Sequence, residues 1–119
     1  MGARRRMAER IARGQIWQFA FSHPDKRRPV LVISRDEVIS LIHTVMVAPI
    51  TTAIRGAPSE VVVGIEEGLK QDSAVNLDHV QTVEKARLKR FIGTVSPLKM
   101  RSVCRALAIA VGCDPTVPL

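Results

Sequence analysis

The sequence predicts a mainly β domain, about six or seven short strands closed by a single C-terminal helix, wound into a strongly bent sheet or small barrel. Three observations carry this expectation. Short apolar runs recur between turn-forming residues, the first of them holding the β-favouring Ile16, Trp17, Phe19 and Phe21. Only the last segment has a clear helical stripe, with Met100, Val103, Cys104, Leu107 and Val111 spaced 3, 1, 3 and 4 apart. Finally, 119 residues, 46% apolar and 24% charged, suffice for one globular core.

Residues 1–13 carry Arg4, Arg5, Arg6, Arg10 and Arg13 against Glu9, a local charge of +4. They read either as a frayed, weakly helical basic arm or as a solvated tail, ahead of a domain over 14–114 and a short tail, 115–119. Gln15–Phe21 is the first strand, with Trp17, Phe19 and Phe21 at period two. A polar connection, Ser22-His23-Pro24-Asp25-Lys26-Arg27-Arg28, leads to Pro29, which opens the next strand at the edge of its ladder. Val30-Leu31-Val32-Ile33 is apolar throughout, as in a strand covered on both faces. A short helix over Asp36–Leu41 precedes a strand from Thr44 to Ile50, which Thr51 and Thr52 end. Arg55-Gly56-Ala57-Pro58 is a turn. Glu60–Gly64, Ala74–Leu77, Val80–Val83 and Phe91–Val95 follow as strands, with an acidic turn at Glu66-Glu67-Gly68. Ser96 caps the final helix, Pro97 suits its first turn and Gly112 lies past its end. Lys99, Arg101 and Arg105 occupy its opposite, solvated face.

The chain carries 18 basic and 11 acidic residues, a net charge of +7 and a pI near 10.5. That surplus favours a polyanionic partner, although charge for solubility gives the same count. No apolar run approaches the ~20 residues of a bilayer span, and nothing resembles a signal peptide. A cytoplasmic protein without a membrane partner is expected. Cys104 and Cys113 stand nine apart without zinc-ligand spacing, so they read as buried or idle thiols in a reducing compartment. Aromatic residues make up 3% of the chain, too few for a base-stacking RNA-recognition motif or oligonucleotide-binding barrel.

Phosphate-loop and nucleophile-elbow motifs are absent. The acids are scattered, so neither a two-metal nuclease centre nor any other metal or cofactor site is expected. RNA can still be cut, because its 2′-hydroxyl is a built-in nucleophile; the protein must move protons and stabilise a charged phosphorane. An arginine beside a hydroxyl donor suits that task. Arg28 precedes one apolar strand and Thr51-Thr52 ends the next, so adjacent strands would bring both to one cleft. From spacing alone, a solvated arginine and a plain β-forming threonine are the commoner reading.

Several blocks in register resemble one family. They are Arg13-Gly14-Gln15-Ile16-Trp17, then Arg27-Arg28-Pro29-Val30-Leu31-Val32-Ile33-Ser34, then Val47-Ala48-Pro49-Ile50-Thr51-Thr52. Asp72 to Val83, Phe91-Ile92-Gly93-Thr94-Val95 and the terminal helix continue the series. Together, over roughly residues 13–113, they resemble the MazF/PemK toxin endoribonucleases of type II toxin–antitoxin systems. The resemblance implies a small, twisted, antiparallel SH3-like barrel of the CcdB/PemK type, acting as a homodimer. It also implies metal-independent cutting of single-stranded RNA at short sequences, leaving a 2′,3′-cyclic phosphate and a 5′-hydroxyl, with a cognate MazE-like antitoxin as partner. Arg28 and Thr51 match the family's catalytic pair. RNA contacts are implied at His23, Arg27, Ser34, Thr52, Arg55, His79 and Gln81. The sequence departs from the family pattern at two places. His23 and Asp25 stand where some members have a glutamate, and His23 is either a proton acceptor or a loop residue without a task. His79 replaces a frequent glutamine and would meet a base or a phosphate, while His43 reads as packed or half-exposed. Seven basic residues from Lys85 to Arg105 (Lys85, Arg87, Lys89, Arg90, Lys99, Arg101 and Arg105) would line an RNA groove. Two rival readings use the same fold class, a non-catalytic nucleic-acid-binding barrel and a gyrase-poisoning CcdB-like toxin. The second needs a C-terminal tryptophan, and the sole tryptophan is Trp17.

Overall fold

The computed structural model describes residues 10–20 and 27–113. Among them, seven strands form one bent antiparallel sheet: β1 (Gln15–Ala20), β2 (Arg27–Val32), β3 (Thr44–Thr51), β4 (Glu60–Val63), β5 (Ser73–Asn76), β6 (Gln81–Glu84) and β7 (Leu88–Thr94). A one-turn helix, α1 (Asp36–Ile39), joins β2 to β3, and α2 (Pro97–Ala110) follows β7. The strand order is β4-β5-β3-β2-β1-β7, with β6 also paired to β3.

Both faces of the central strands are buried, which explains their unbroken apolar runs. Ile16, Leu31, Ile33, Ala48 and Ile50 point to one cluster, closed by Met100, Val103 and Ala106 of α2. The alternate residues Trp17, Phe19, Val30, Val32, Val45 and Val47 form a second cluster with Ile39 and Leu88. The Ser96 hydroxyl caps α2 by accepting from Lys99 N at 3.1 Å. The buried stripe of α2 is rotated from the one the spacing predicts. Ala106 is buried, whereas Cys104 and Val111 are exposed. Both thiols are free and exposed, so neither is a core residue.

Two prolines decide where the ladders end. Met46 turns its N–H and its carbonyl toward β2, meeting Ser34 Oγ at 2.7 Å and Ile33 N at 2.9 Å. By alternation, Val45, Val47 and Pro49 face the other way. On that side β3 exchanges partners, since Val47 pairs with Gln81 of β6 and Ile50 with Val75 of β5. Pro49 falls in the gap, where its missing N–H costs no ladder bond. Pro29 is the third residue of β2 and not its first, contrary to expectation. It faces β3 one step beyond the last β2–β3 pair, Val30 with Pro49, so pairing stops there. β7 likewise begins at Leu88, three residues before Phe91. Leu88 is buried across from Phe19, and Lys89 and Arg90 are tolerated because they project from an edge strand into solvent.

A single 3₁₀ turn, Ile65–Glu67, packs against the other end of β7. Glu67 is buried, accepts from Gly64 N at 2.7 Å and pairs with Lys99 Nζ at 2.9 Å. Burial alone would raise its carboxyl pKa. The Lys99 ammonium and the Gly64 N–H outweigh that cost and hold it below the usual glutamate value. Lys99 therefore belongs to this ion pair and not to a solvated face.

Candidate active site

Arg28 is exposed on β2 and stands across from Phe19 of β1. Thr51, half-buried, ends β3 across from Ala74 of β5. Strand alternation places Arg28 on the face of Val30 and Val32, and Thr51 on the face of Val47 and Pro49. Both belong to the side that carries the second apolar cluster. The β2–β3 register pairs Val30 with Pro49 and Leu31 with Ala48. Counted two residues further, it brings Arg28 level with Thr51. The ladder does not continue that far, because Pro29 offers no donor toward β3. Beyond the last pair, one strand end carries a guanidinium and the other a hydroxyl.

The Thr51 hydroxyl oxygen accepts from Ala53 N at 3.1 Å. That bond uses an acceptor position and leaves the single hydroxyl proton to donate elsewhere. Beyond it, Thr52 and Arg55 lie on an exposed loop whose far end is fixed by Glu60. The Glu60 Oε1 accepts from Arg55 N at 3.1 Å and from Gly56 N at 2.9 Å. Arg27 is exposed across from Ala20, on the alternate face from Arg28. Gln81 of β6 is exposed across from Val47, which puts it on the face of Thr51. His79 is exposed in a 3₁₀ turn, Leu77–His79, which packs against β3 where β6 gives way to β5.

Ser34 is not brought to this place. It is buried, its hydroxyl accepts from Met46 N, and it lies six residues along the chain from Arg28. That separation is about 20 Å at ~3.3 Å per residue. His23 and Asp25, with Phe21, lie outside the described residues, as does the arm as far as residue 9. His43 is exposed, and its main-chain carbonyl accepts from Lys85 N at 2.9 Å.

The expected basic groove is thinned by internal bonds. Lys85 Nζ donates to the Ile39 carbonyl at 2.6 Å, and Lys99 holds Glu67. The Arg87 guanidinium lies 5.0 Å from the Phe19 ring centroid. It also donates to the Ala20 carbonyl through Nε at 3.1 Å and Nη2 at 2.8 Å. Arg87 thus pins the end of β1 beside Arg28, a role that no local pattern announces because the partners are 67 residues apart. Lys89, Arg90 and Arg101 remain exposed. Among the described residues, no three His, Cys, Asp or Glu side chains converge as a metal-ligand set.

Among the described residues, the chain is a bent seven-stranded antiparallel sheet with a closing helix, carrying an arginine and a threonine at the ends of two neighbouring strands. The model of the PemK-like, MazF-like toxins of type II toxin–antitoxin systems matches residues 12–111, and the chain belongs to that family. A probable endoribonuclease MazF5 of Mycobacterium tuberculosis is 44% identical over 106 residues, covering 87% of this chain and 94% of that protein. The endoribonuclease MazF3 of the same organism is 43% identical over 88 residues, covering 74% and 82%. Among solved structures, the M. tuberculosis toxin MazF-mt6 superposes with a TM-score of 0.77 at 36% identity, covering 84% of this chain and 98% of that one. A mycobacterial endoribonuclease in complex with its cognate antitoxin gives 0.79 at 28% identity, covering 88% and 98%. The gyrase-poisoning alternative finds no support, since Trp17 is buried in β1 and α2 carries no tryptophan. Among the described residues, no helix is long and apolar enough to cross a membrane.

Proposed function

We propose that this chain is an endoribonuclease toxin that cuts single-stranded RNA in the cytoplasm, with Arg28 and Thr51 at the reacting phosphate. What supports the assignment is the β2–β3 register, which, carried two residues past its last pair, sets these two side chains level on one sheet face. In the step, the ribose 2′-oxygen bonds to phosphorus while the bond from phosphorus to the 5′-oxygen breaks. The products are a 2′,3′-cyclic phosphate and a 5′-hydroxyl. The Arg28 guanidinium neutralises the phosphorane oxygens through its planar fork and relays the proton, giving one N–H proton to the departing 5′-oxygen as it takes up the one from the 2′-hydroxyl. The Thr51 hydroxyl donates to a non-bridging oxygen. Arg27, Thr52, Arg55, His79 and Gln81 hold the strand on either side. The chain acts as a homodimer and is silenced by a cognate antitoxin whose acidic, flexible segment occupies the same groove.

The test is cleavage of a long mixed-sequence RNA in EDTA, with Arg28→Ala assayed beside the wild type. Discrete fragments ending in cyclic phosphate from the wild type alone are expected. Cutting by the variant at the wild-type rate would overturn the assignment of Arg28. Salt-sensitive binding with no cutting, on this RNA and on ribosomal RNA, would establish the non-catalytic reading instead.

A further inference from the structure

The turn beside the site carries a hydrogen-bond chain that fixes the proton of His79. The Asn76 side-chain oxygen accepts from Asp78 N at 3.0 Å. A backbone N–H requires an oxygen partner, so the orientation of the Asn76 amide is settled and its NH₂ group points the other way. That group meets His79 Nδ1 at 3.1 Å. An amide NH₂ only donates, so Nδ1 must accept, and in neutral imidazole the proton then resides on Nε2. His79 is exposed, and Asn76 is half-buried at the end of β5. The turn is itself anchored, since Ser59 Oγ donates to Asp78 Oδ2 at 2.6 Å and Leu77 N to the Ser59 carbonyl at 3.0 Å.

The registers of β6 and β5 locate the chain of bonds. They pair Gln81 with Val47 and Val75 with Ile50, so the intervening turn lies alongside Ala48 and Pro49 of β3. Thr51 is two residues further, about 7 Å along the strand. A nucleotide next to the scissile phosphate is within reach of a side chain placed there.

We propose that Asn76 is a positioning residue that holds His79 as an Nε2–H donor, and that this donor reads an acceptor on an RNA base flanking the cut. A fixed donor favours a keto group over an amino group at the same place on the base. It selects uracil over cytosine or guanine over adenine. This inference rests on the nuclease reading above for its RNA, but not for its tautomer. Asn76→Asp separates the two roles of the amide. One carboxylate oxygen still accepts from Asp78 N and keeps the turn, while the other now accepts from Nδ1–H and moves the neutral proton off Nε2.

The experiment has two readouts at pH 8, where free imidazole is neutral. The first is the long-range proton–nitrogen NMR spectrum of the His79 ring in the full chain. Protonated Nε2 and unprotonated Nδ1 are expected in the wild type, and the reverse in Asn76→Asp. The second is the cut-site sequence profile of the wild type, Asn76→Asp and His79→Ala on a random-sequence RNA. We expect a keto preference of about tenfold, the low end of one good base contact, at one flanking position. It should relax in His79→Ala and turn toward amino bases in Asn76→Asp. A proton on Nδ1 in the wild type would overturn the inference. So would a profile unchanged in both variants while the rate falls, which would make His79 a phosphate contact. Failure of the wild type to cut any RNA would count against the nuclease reading, and the NMR arm would still decide the tautomer.

Discussion

Arg28 and Thr51 are held in different ways, and their substitutions should behave accordingly. Thr51 has its hydroxyl oxygen fixed by Ala53 N, so one proton is aimed away from the backbone. Thr51→Ser preserves that geometry and should keep most of the cleavage rate. Thr51→Val removes the donor that the proposed step uses and should lower the rate about 10²-fold. Equal rates for the two variants would remove the hydroxyl from the mechanism. In the proposed step, Arg28 acts through the shape of its guanidinium as well as its charge. Arg28→Lys should therefore lose at least about tenfold in rate with RNA affinity largely kept, because a point charge cannot grip two phosphoryl oxygens at once. Single-turnover cleavage and filter binding on the same RNA check both expectations. At this scale the sequence was informative only through strand position and the family resemblance. Ser34 lay in the same block as Arg28 and its hydroxyl went to Met46 N, a partner no local spacing reveals. Asn76 carried no signal at all, because its value lies in which atom of His79 it faces.

The elements depend on a few close approaches between backbones. Gly93 of β7 lies against the Ile65–Glu67 turn, and a Cβ at that position would overlap the Glu67 carbonyl oxygen. Gly68 closes the same turn at φ +92°, where an added Cβ would also meet Ile92 O at 2.6 Å. Gly93→Ala must push the turn off the sheet. Overpacking of this kind costs about 1–3 kcal/mol, read as a lower midpoint in urea with the slope unchanged. A midpoint equal to that of the wild type would mean that the contact yields without cost. The strands and α2 were legible from apolar runs and from the Ser96–Pro97 start, because those are local properties of the chain. Element ends were less so. β2 and β7 both begin earlier than composition suggests, since β1 lies beside each and supplies a pairing partner to Arg27, Arg28 and Leu88.

For the molecule as a whole, the Glu67–Lys99 pair ties the turn before β5 to α2, and it makes stability depend on pH. The folded-state pKa of Glu67 is lowered, so its contribution is complete above the ordinary glutamate value of ~4.3. It is lost as the pH falls through the folded value. Thermal melts from pH 7 to pH 3 should show Tm falling below about pH 4.3 in the wild type. Glu67→Gln should start lower at pH 7 and fall less steeply; parallel curves would exclude Glu67 as the source. The net charge of +7 belongs to this scale as well, and the fold divides it. Lys85, Arg87 and Lys99 are drawn into internal bonds, while Lys89, Arg90 and Arg101 stay on the surface. What the sequence alone determined was the strand-rich class, the closing helix, the absence of clustered acids and the ordered motifs that resemble one toxin family. Composition, period and motif order are readable along the chain. What only the tertiary structure decided was which segments meet: β2 with β3, in a register that sets Arg28 toward the level of Thr51 past Pro29, and Asn76 with His79. Register and partner exchange between strands distant in sequence create those meetings, and no property of either segment taken by itself contains them.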